Sequence, residues 1–190
     1  QIIDEMLLKN VGPDNLTIRL TLIVGDQTGT VTAEILDEES GNHTAAGNVD
    51  FNMFENIKGT CLEGAIQIQS AFFSEDYRGI GLGLASYELI AKHFLLLSDT
   101  RQTHEGSAFW KFKLAAHDKL KVNIIINPET KNPIKMTDEH QSPITYHYTK
   151  EELESVIWGL EYENDNPHPG IKASRTTRQN NIALLAVKIE

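Results

Sequence analysis

Residues 71–83 read Ala71-Phe72-Phe73-Ser74-Glu75-Asp76-Tyr77-Arg78-Gly79-Ile80-Gly81-Leu82-Gly83. The stretch joins two regular segments. On its N-terminal side, Ala65–Phe73 is the best strand in the chain: Ile66, Ile68 and Ser70 alternate with Gln67, Gln69 and Ala71, and two aromatics close the run. On its C-terminal side, Leu82, Ala85, Leu89 and Phe94 fall near one face of a helix expected to reach about residue 94. A strand that enters a helix through Gly-x-Gly-x-Gly is an anion trap. Glycine removes the Cβ atoms that keep a phosphate off the backbone. The first helical turn leaves N–H groups without acceptors, and the helix dipole adds partial positive charge there. Arg78 adds a full charge and a forked donor. Together these suit a pyrophosphate. The alternative is a glycine-rich helix entry used only for close packing.

Two familiar phosphate loops are excluded by spacing. A Walker loop needs Gly-Lys-Ser/Thr, and none follows here. The dinucleotide fingerprint needs Gly-x-Gly-x-x-Gly, and position 84 is Leu. That fingerprint also follows the first strand of a βαβ unit, whereas several antiparallel-type strands precede this loop.

Working outward, residues 2–8 are apolar with charges between and suit a short helix or strand. Gly12-Pro13-Asp14-Asn15 is a turn. Residues 16–24, 31–36 and 48–54 read as strands, split by polar turns at 25–29 and 37–42. The N-terminal third is thus a β meander. After the glycine loop and its helix, residues 93–97 form a short apolar strand. A second helix is expected to begin within 100–103 and run to about residue 116, with Asp99 or Thr103 as cap and Asp99-x-x-Gln102 spaced for a capping arrangement. Residues 122–126 are a buried-type strand. Thr149-Lys150-Glu151-Glu152 is a capping box before Leu153, Val156, Ile157 and Leu160 at helical spacing. Residues 161–170 carry two prolines and read as a loop, and 181–189 as a final strand.

Here the chain resembles a known family. Arg78-x-x-Gly81-x-Gly83 matches the Arg/Gln-x-x-Gly-x-Gly/Ala motif of the N-acyltransferase superfamily, and residues 71–83 look like that family's fourth strand, turn and cofactor loop. The likeness covers roughly residues 60–116; the N-terminal meander agrees in order only, and residues beyond Lys121 match loosely. Ser98-Asp99-Thr100-Arg101-Gln102-Thr103 followed by Phe109-Trp110 resembles divergent, bacteriophage-encoded members. The resemblance implies an α/β (α+β) fold: a mixed, mostly antiparallel central sheet flanked by helices. It implies one domain with its core at about 15–126 plus the final strand 181–189, and an elaboration over 127–180. It also implies an acetyl-CoA (acyl-CoA) cofactor. Backbone N–H groups of Gly79, Ile80, Gly81, Leu82 and Gly83 with Arg78 would hold the pyrophosphate, and the strand end at Phe72 and Phe73 would pair with the pantetheine arm.

Acyl transfer to an amine needs the amine deprotonated, the thioester oxyanion stabilised and the thiolate released. In the family a helix pattern Asn-x-x-Ala-x-x-x-Tyr supplies a phenol for the leaving sulfur. In this chain Trp110 falls at the Tyr position, with Gly106 four residues before it. An indole N–H donates a hydrogen bond but is no acid at neutral pH. Trp110 is therefore either a site-lining residue or a core aromatic. Tyr77 and Tyr87 are alternative phenols on cofactor-side elements. Asp99 is the first candidate for a base, against a plain helix cap. Glu63, just before the central strand, is the second, against a solvated loop carboxylate. His104 is a proton shuttle or a surface histidine.

The bulk properties set limits. A length of 190 residues suits one domain with a real core. The net charge of -10 argues against nucleic-acid binding and suits a cationic amine, peptide or protein acceptor. Arg78, Lys92, Arg101, Lys111 and Lys113 concentrate positive charge in the central third, where an anionic ligand would be met. Cys61 is the single cysteine, so no internal disulfide forms, and a cytoplasmic setting is expected. No metal spacing among the histidines and no membrane span are visible. Gln1 is no natural start, so an initiator or a longer leader, with any targeting signal it carries, is expected to be missing. The reading is an acetyl-CoA-dependent N-acyltransferase, with a non-catalytic binding, inhibitory or structural member as the alternative.

Overall fold

The computed structural model describes residues 1–55, 58–158, 174–176 and 182–189. They fall into two compact units, one of residues 1–55 and 66–94, the other of residues 58–65 and those from Leu95 on.

In the first unit, strands β1 (Ile2–Val11), β2 (Leu16–Val24), β3 (Thr28–Leu36), β4 (His43–Met53) and β5 (Ala65–Phe73) pair in chain order, each antiparallel to the one before. The turns are where glycine, proline and asparagine demand them. At the first, Asn15 N–H closes on the Gly12 carbonyl at 3.3 Å. At the third, Asp37 accepts from the amides of Glu39 and Ser40 and from the Ser40 hydroxyl.

Alternation splits the sheet into two faces. Ile18, Leu20, Leu22, Val31, Ala33, Val49, Phe51 and Ile66 are buried on one. Helix α1 (Leu82–Ala91) adds Leu82, Leu89 and Ile90 to the buried set. At about 25 cal/mol per Å² of apolar surface removed from water, such a layer outweighs every polar contact in the unit. The opposite face carries Arg19, Thr21, Thr30, Thr32, Glu34, Asn48 and Asp50. Cross-strand pairs set its rows: Thr21 opposite Thr32, Thr32 opposite Asn48, Asn48 opposite Phe72, and Asp50 opposite Ser70.

Strand β5 breaks simple alternation. Ser70 pairs with Asp50 but Ile68 pairs with Phe51, which leaves Gln69 as the extra residue of a β-bulge. Ser70 therefore shares a face with Gln67, not with Ile66 and Ile68 as its spacing predicts. Phe72 follows Ser70 onto the polar face, and Phe73 goes to the apolar one. Gly47 makes room for Phe73: a Cβ there would lie 2.2 Å from the Phe72 carbonyl oxygen and 2.6 Å from Phe73 Cδ1.

In the second unit, β6 (Leu95–Leu97), β8 (Leu120–Ile126), the two-residue β9 (Ile134–Lys135) and β11 (Ile182–Lys188) form an antiparallel set in the order β6-β11-β8-β9. The last strand thus lies between two earlier ones. The Ser98 hydroxyl, itself buried, accepts from Leu184 N–H at 2.8 Å while Ser98 N–H donates to the Leu184 carbonyl. The side chain prolongs the strand pairing past β6. Strand β7 (Arg101–Thr103) pairs with β10 (Ser174–Thr176). Helix α2 (His104–Phe109) opens into a π-helical turn, Trp110–Leu114, and α3 spans Glu151–Trp158.

The expected helix-flanked α/β sheet is overturned. Strands dominate, and the three α-helices among the described residues have only ten, six and eight residues. The N-terminal region forms strands alone, and residues 101–103, expected to start a helix, are a strand. Asp99-x-x-Gln102 therefore does not stand at a helix start. The Thr149 hydroxyl, in the expected capping box, meets His147 Nδ1 at 2.8 Å. The first helix ends at Ala91, three residues short of the expected point, and Leu160 and the loop 161–170 lie outside the described residues. No described helix is long and apolar enough to cross a membrane.

Candidate functional site

The site grows from the end of β5. Ser74, extended, hands the chain to a single 3-10 turn, Glu75–Tyr77. Arg78 is extended at φ -77° and ψ 152°. Gly79 at φ 76° and Gly81 at φ 92° then adopt the left-handed conformation that side chains resist. A Cβ at either glycine would meet nothing within 4 Å. Backbone conformation, not crowding, demands glycine there, and the space over both is open.

Gly81 is the N-cap of α1 and has no side chain to cap it, and the first turn carries no acid. Ala85 N–H is the first amide to close, onto the Gly81 carbonyl at 3.1 Å. Among the described residues, no acceptor meets the N–H groups of Gly81, Leu82, Gly83 or Leu84. This is the donor row that an anion at a helix start requires. Ser86, one turn on, is buried and returns its hydroxyl to the Leu82 carbonyl at 2.8 Å.

Two contacts hold the loop. Ile80 lies against the β1–β2 turn, where a Cβ on Gly12 would come 3.1 Å from its Cγ2. Arg78 Nε donates to the Phe73 carbonyl at 2.9 Å, and a terminal nitrogen sits 4.0 Å from Glu75 Oε1. That ion pair is loose and exposed and contributes little. The Arg78 side chain remains more than half exposed, at 57%. An incoming anion would compete with Glu75 for it.

The two aromatics of the strand end part company. Gly83 faces Phe73, whose Cε2 lies 3.9 Å from a Cβ built there. Phe72 stands 58% exposed on the other side of the sheet. Leu82 is buried beneath the helix start. Gly79, Ile80, Gly81, Leu82 and Gly83 are thus gathered with Arg78 and Phe73 in one loop, and Phe72 points elsewhere.

Asp99, Glu63 and Trp110 all belong to the second unit. Asp99 follows β6; partial burial pushes its carboxyl above the usual range, and the like charge of Glu129 adds to this. Glu63 accepts from Gly59 N–H at 2.8 Å and braces an exposed turn. Trp110 opens the π-helical turn and is 6% exposed within the core.

Two side-chain networks escaped sequence reasoning. In the first unit, Asp50 accepts from Asn48 Nδ2 at 2.7 Å, from the Ser70 hydroxyl at 3.0 Å and from the Thr30 side chain, which hold its carboxyl below the usual range. The polar alternation Thr30, Thr32 and Asn48, Asp50 signals a hydrophilic face, but not this convergence. In the second unit, Trp158 Nε1 donates to the Tyr146 hydroxyl at 2.9 Å. That hydroxyl donates to Glu154, and Glu154 pairs with Lys111. Nothing in the sequence around Tyr146 marks it.

No family model matches this chain, and no curated protein matches it.

Proposed function

We propose that residues 78–83 bind the diphosphate of an acyl-coenzyme A, and that the protein passes the acyl group to an amine. One observation carries the reading: among the described residues, four consecutive amides, Gly81 to Leu84, are without acceptors at an open, uncapped helix start. Two left-handed glycines keep side chains away from that row. Arg78 offers its outer guanidinium nitrogens beside it, and its Nε link to Phe73 holds the loop to the strand. Diphosphate oxygens accept from such donors, and the helix dipole favours their charge. The support is this loop and its amides; the overall fold lends none.

Heat denaturation with CoA, acetyl-CoA and pantetheine tests it. Both nucleotide-bearing ligands should raise the melting temperature, and pantetheine, which lacks the diphosphate, should not. Gly83→Val should abolish the rise; Gly83 has no left-handed strain, and a Cβ there meets only Phe73 Cε2, at 3.9 Å. A CoA effect that survives Gly83→Val unchanged would remove the loop from the site.

A second reading is a non-catalytic binder of the same ligand. Burial of Trp110 favours it, because a core indole neither meets a thiolate nor supplies a proton. Release of free thiol from acetyl-CoA with a panel of amines separates the two: binding without release leaves only the second.

A further inference from the structure

The polar face of the first unit holds a carboxylate without a counter-ion. Asp50 is half-buried, and its partners are the neutral donors Asn48, Ser70 and Thr30. Among the described residues no cation pairs with it. Arg19, a cation on the same face two rows away, is already engaged by Glu34 at 2.7 Å and by His43 at 3.1 Å. Three fixed donors also deny the carboxylate freedom to turn toward solvent. It is an anion set in position.

Beside it stands an exposed aromatic ring. Phe72 lies directly opposite Asn48, and Ser70 directly opposite Asp50, so Phe72 and Asp50 are diagonal neighbours on one face. Diagonal neighbours are about 7–8 Å apart, within reach of one small ligand. An immobilised carboxylate attracts an ammonium group, and an aromatic face attracts the same charge through its quadrupole. A neutral ligand gains less from either, and an anionic one is repelled by the carboxylate.

We infer that Asp50 and Phe72 form a binding site for a primary ammonium group, with Asn48, Ser70 and Thr30 as positioning residues that fix the carboxylate. This inference rests on the proposed reading and deepens it: the site names the chemistry of the amine, a protonated alkylamine or lysine-like side chain. No catalytic role is assigned to Asp50.

The test uses the whole chain without CoA, so that it stands apart from the diphosphate experiment. Cadaverine is titrated into 15N-labelled protein, with 1,5-pentanediol as the uncharged control. The amine should shift the amides of Asn48, Asp50, Ser70 and Phe72 and the Asn48 side-chain amide; the diol should not. Asp50→Asn keeps the shape and the hydrogen-bonding oxygen but removes the charge, and should weaken cadaverine at least tenfold. Phe72→Leu should weaken it severalfold while leaving the fold intact. The affinity should also fall with added salt, because the attraction is between charges. Equal response to the diol, shifts scattered over the chain, or unchanged affinity in Asp50→Asn each overturns the inference. CoA binding with no amine binding would leave the loop reading standing alone.

Discussion

Arg78 Nε donates to the carbonyl oxygen of Phe73 at 2.9 Å, closing the end of the last meander strand onto the residue that precedes the glycines. The arginine is therefore a clasp before it is a ligand. Its terminal nitrogens stay outward, half free, near Glu75. One side chain both shapes the loop and offers charge, and the two roles respond differently to substitution.

Arg78→Gln and Arg78→Lys separate these roles. Loss of the Nε bond should cost about 1 kcal/mol in urea denaturation for either variant. If the loop takes a diphosphate, Gln should also weaken CoA about tenfold or more, the scale of one charge-assisted hydrogen bond. Lysine should recover part of that affinity by charge alone. Identical CoA affinity in both variants and the parent would leave Arg78 only its clasp.

Gly47→Ala should destabilise the first unit by about 1–3 kcal/mol, the range for overpacking. The new methyl would lie 2.2 Å from the Phe72 carbonyl, and the backbone there cannot shift without moving the strand end. Gly25→Ala is the control. Its Cβ would come no nearer than 3.5 Å to Thr28, and its effect in the same denaturation series should be small.

Acid acts on the two units with opposite signs. In the first, hydrogen bonds from His93 to Asp4, and from Thr30, Ser70 and Asn48 to Asp50, lower both carboxyl pKa values. Their stabilisation is complete above the unfolded value of 3.8 and is lost as pH falls through the lowered folded values. Asp99 behaves in reverse. Burial and Glu129 raise its pKa, so ionisation costs stability as pH rises from 3.8 through the folded value. Asp99→Asn should therefore stabilise the protein near neutrality and lose that advantage in acid. Chemical denaturation of the variant and parent across the acid range reads this directly.

Tyr146→Phe should cost about 1–3 kcal/mol, because the buried indole N–H of Trp158 loses its acceptor and Glu154 loses a donor. For a chain of this size each kcal/mol lowers the melting temperature by roughly 2–4 °C. Calorimetry of the variant would show a smaller effect only if water replaced the hydroxyl.

The meander was legible because its turns announce themselves. Gly12-Pro13-Asp14-Asn15 and the polar run at 37–42 bound strands whose apolar residues alternate, and Ala65–Phe73 is a strand over the residues expected, although its alternation breaks at Gln69. The final strand was legible for the same reason. The helix-flanked class was not, because it rested on helices whose lengths tertiary structure curtails. Arg101–Thr103 becomes a strand through pairing with Ser174–Thr176, a partner too distant for any local pattern to reveal. The glycine loop was readable because glycine speaks for the backbone itself. The setting of Asp50 was hidden, since Thr30 and Ser70 reach it from neighbouring strands twenty residues away on either side.

The extra residue in β5 governs more than local shape. If Gln69 were deleted and the pairing of residues 65–68 kept, Ser70 would follow Ile68 directly and still meet Asp50, so every later residue would keep its side. The sides depend on Gln69 staying out of the ladder. Were it drawn into regular pairing with Asp50, Ser70 and Phe72 would pass to the face under α1, and Phe73 would leave its seat beside Gly47 and Gly83. One unpaired residue thus keeps a hydroxyl and a ring in wet surroundings.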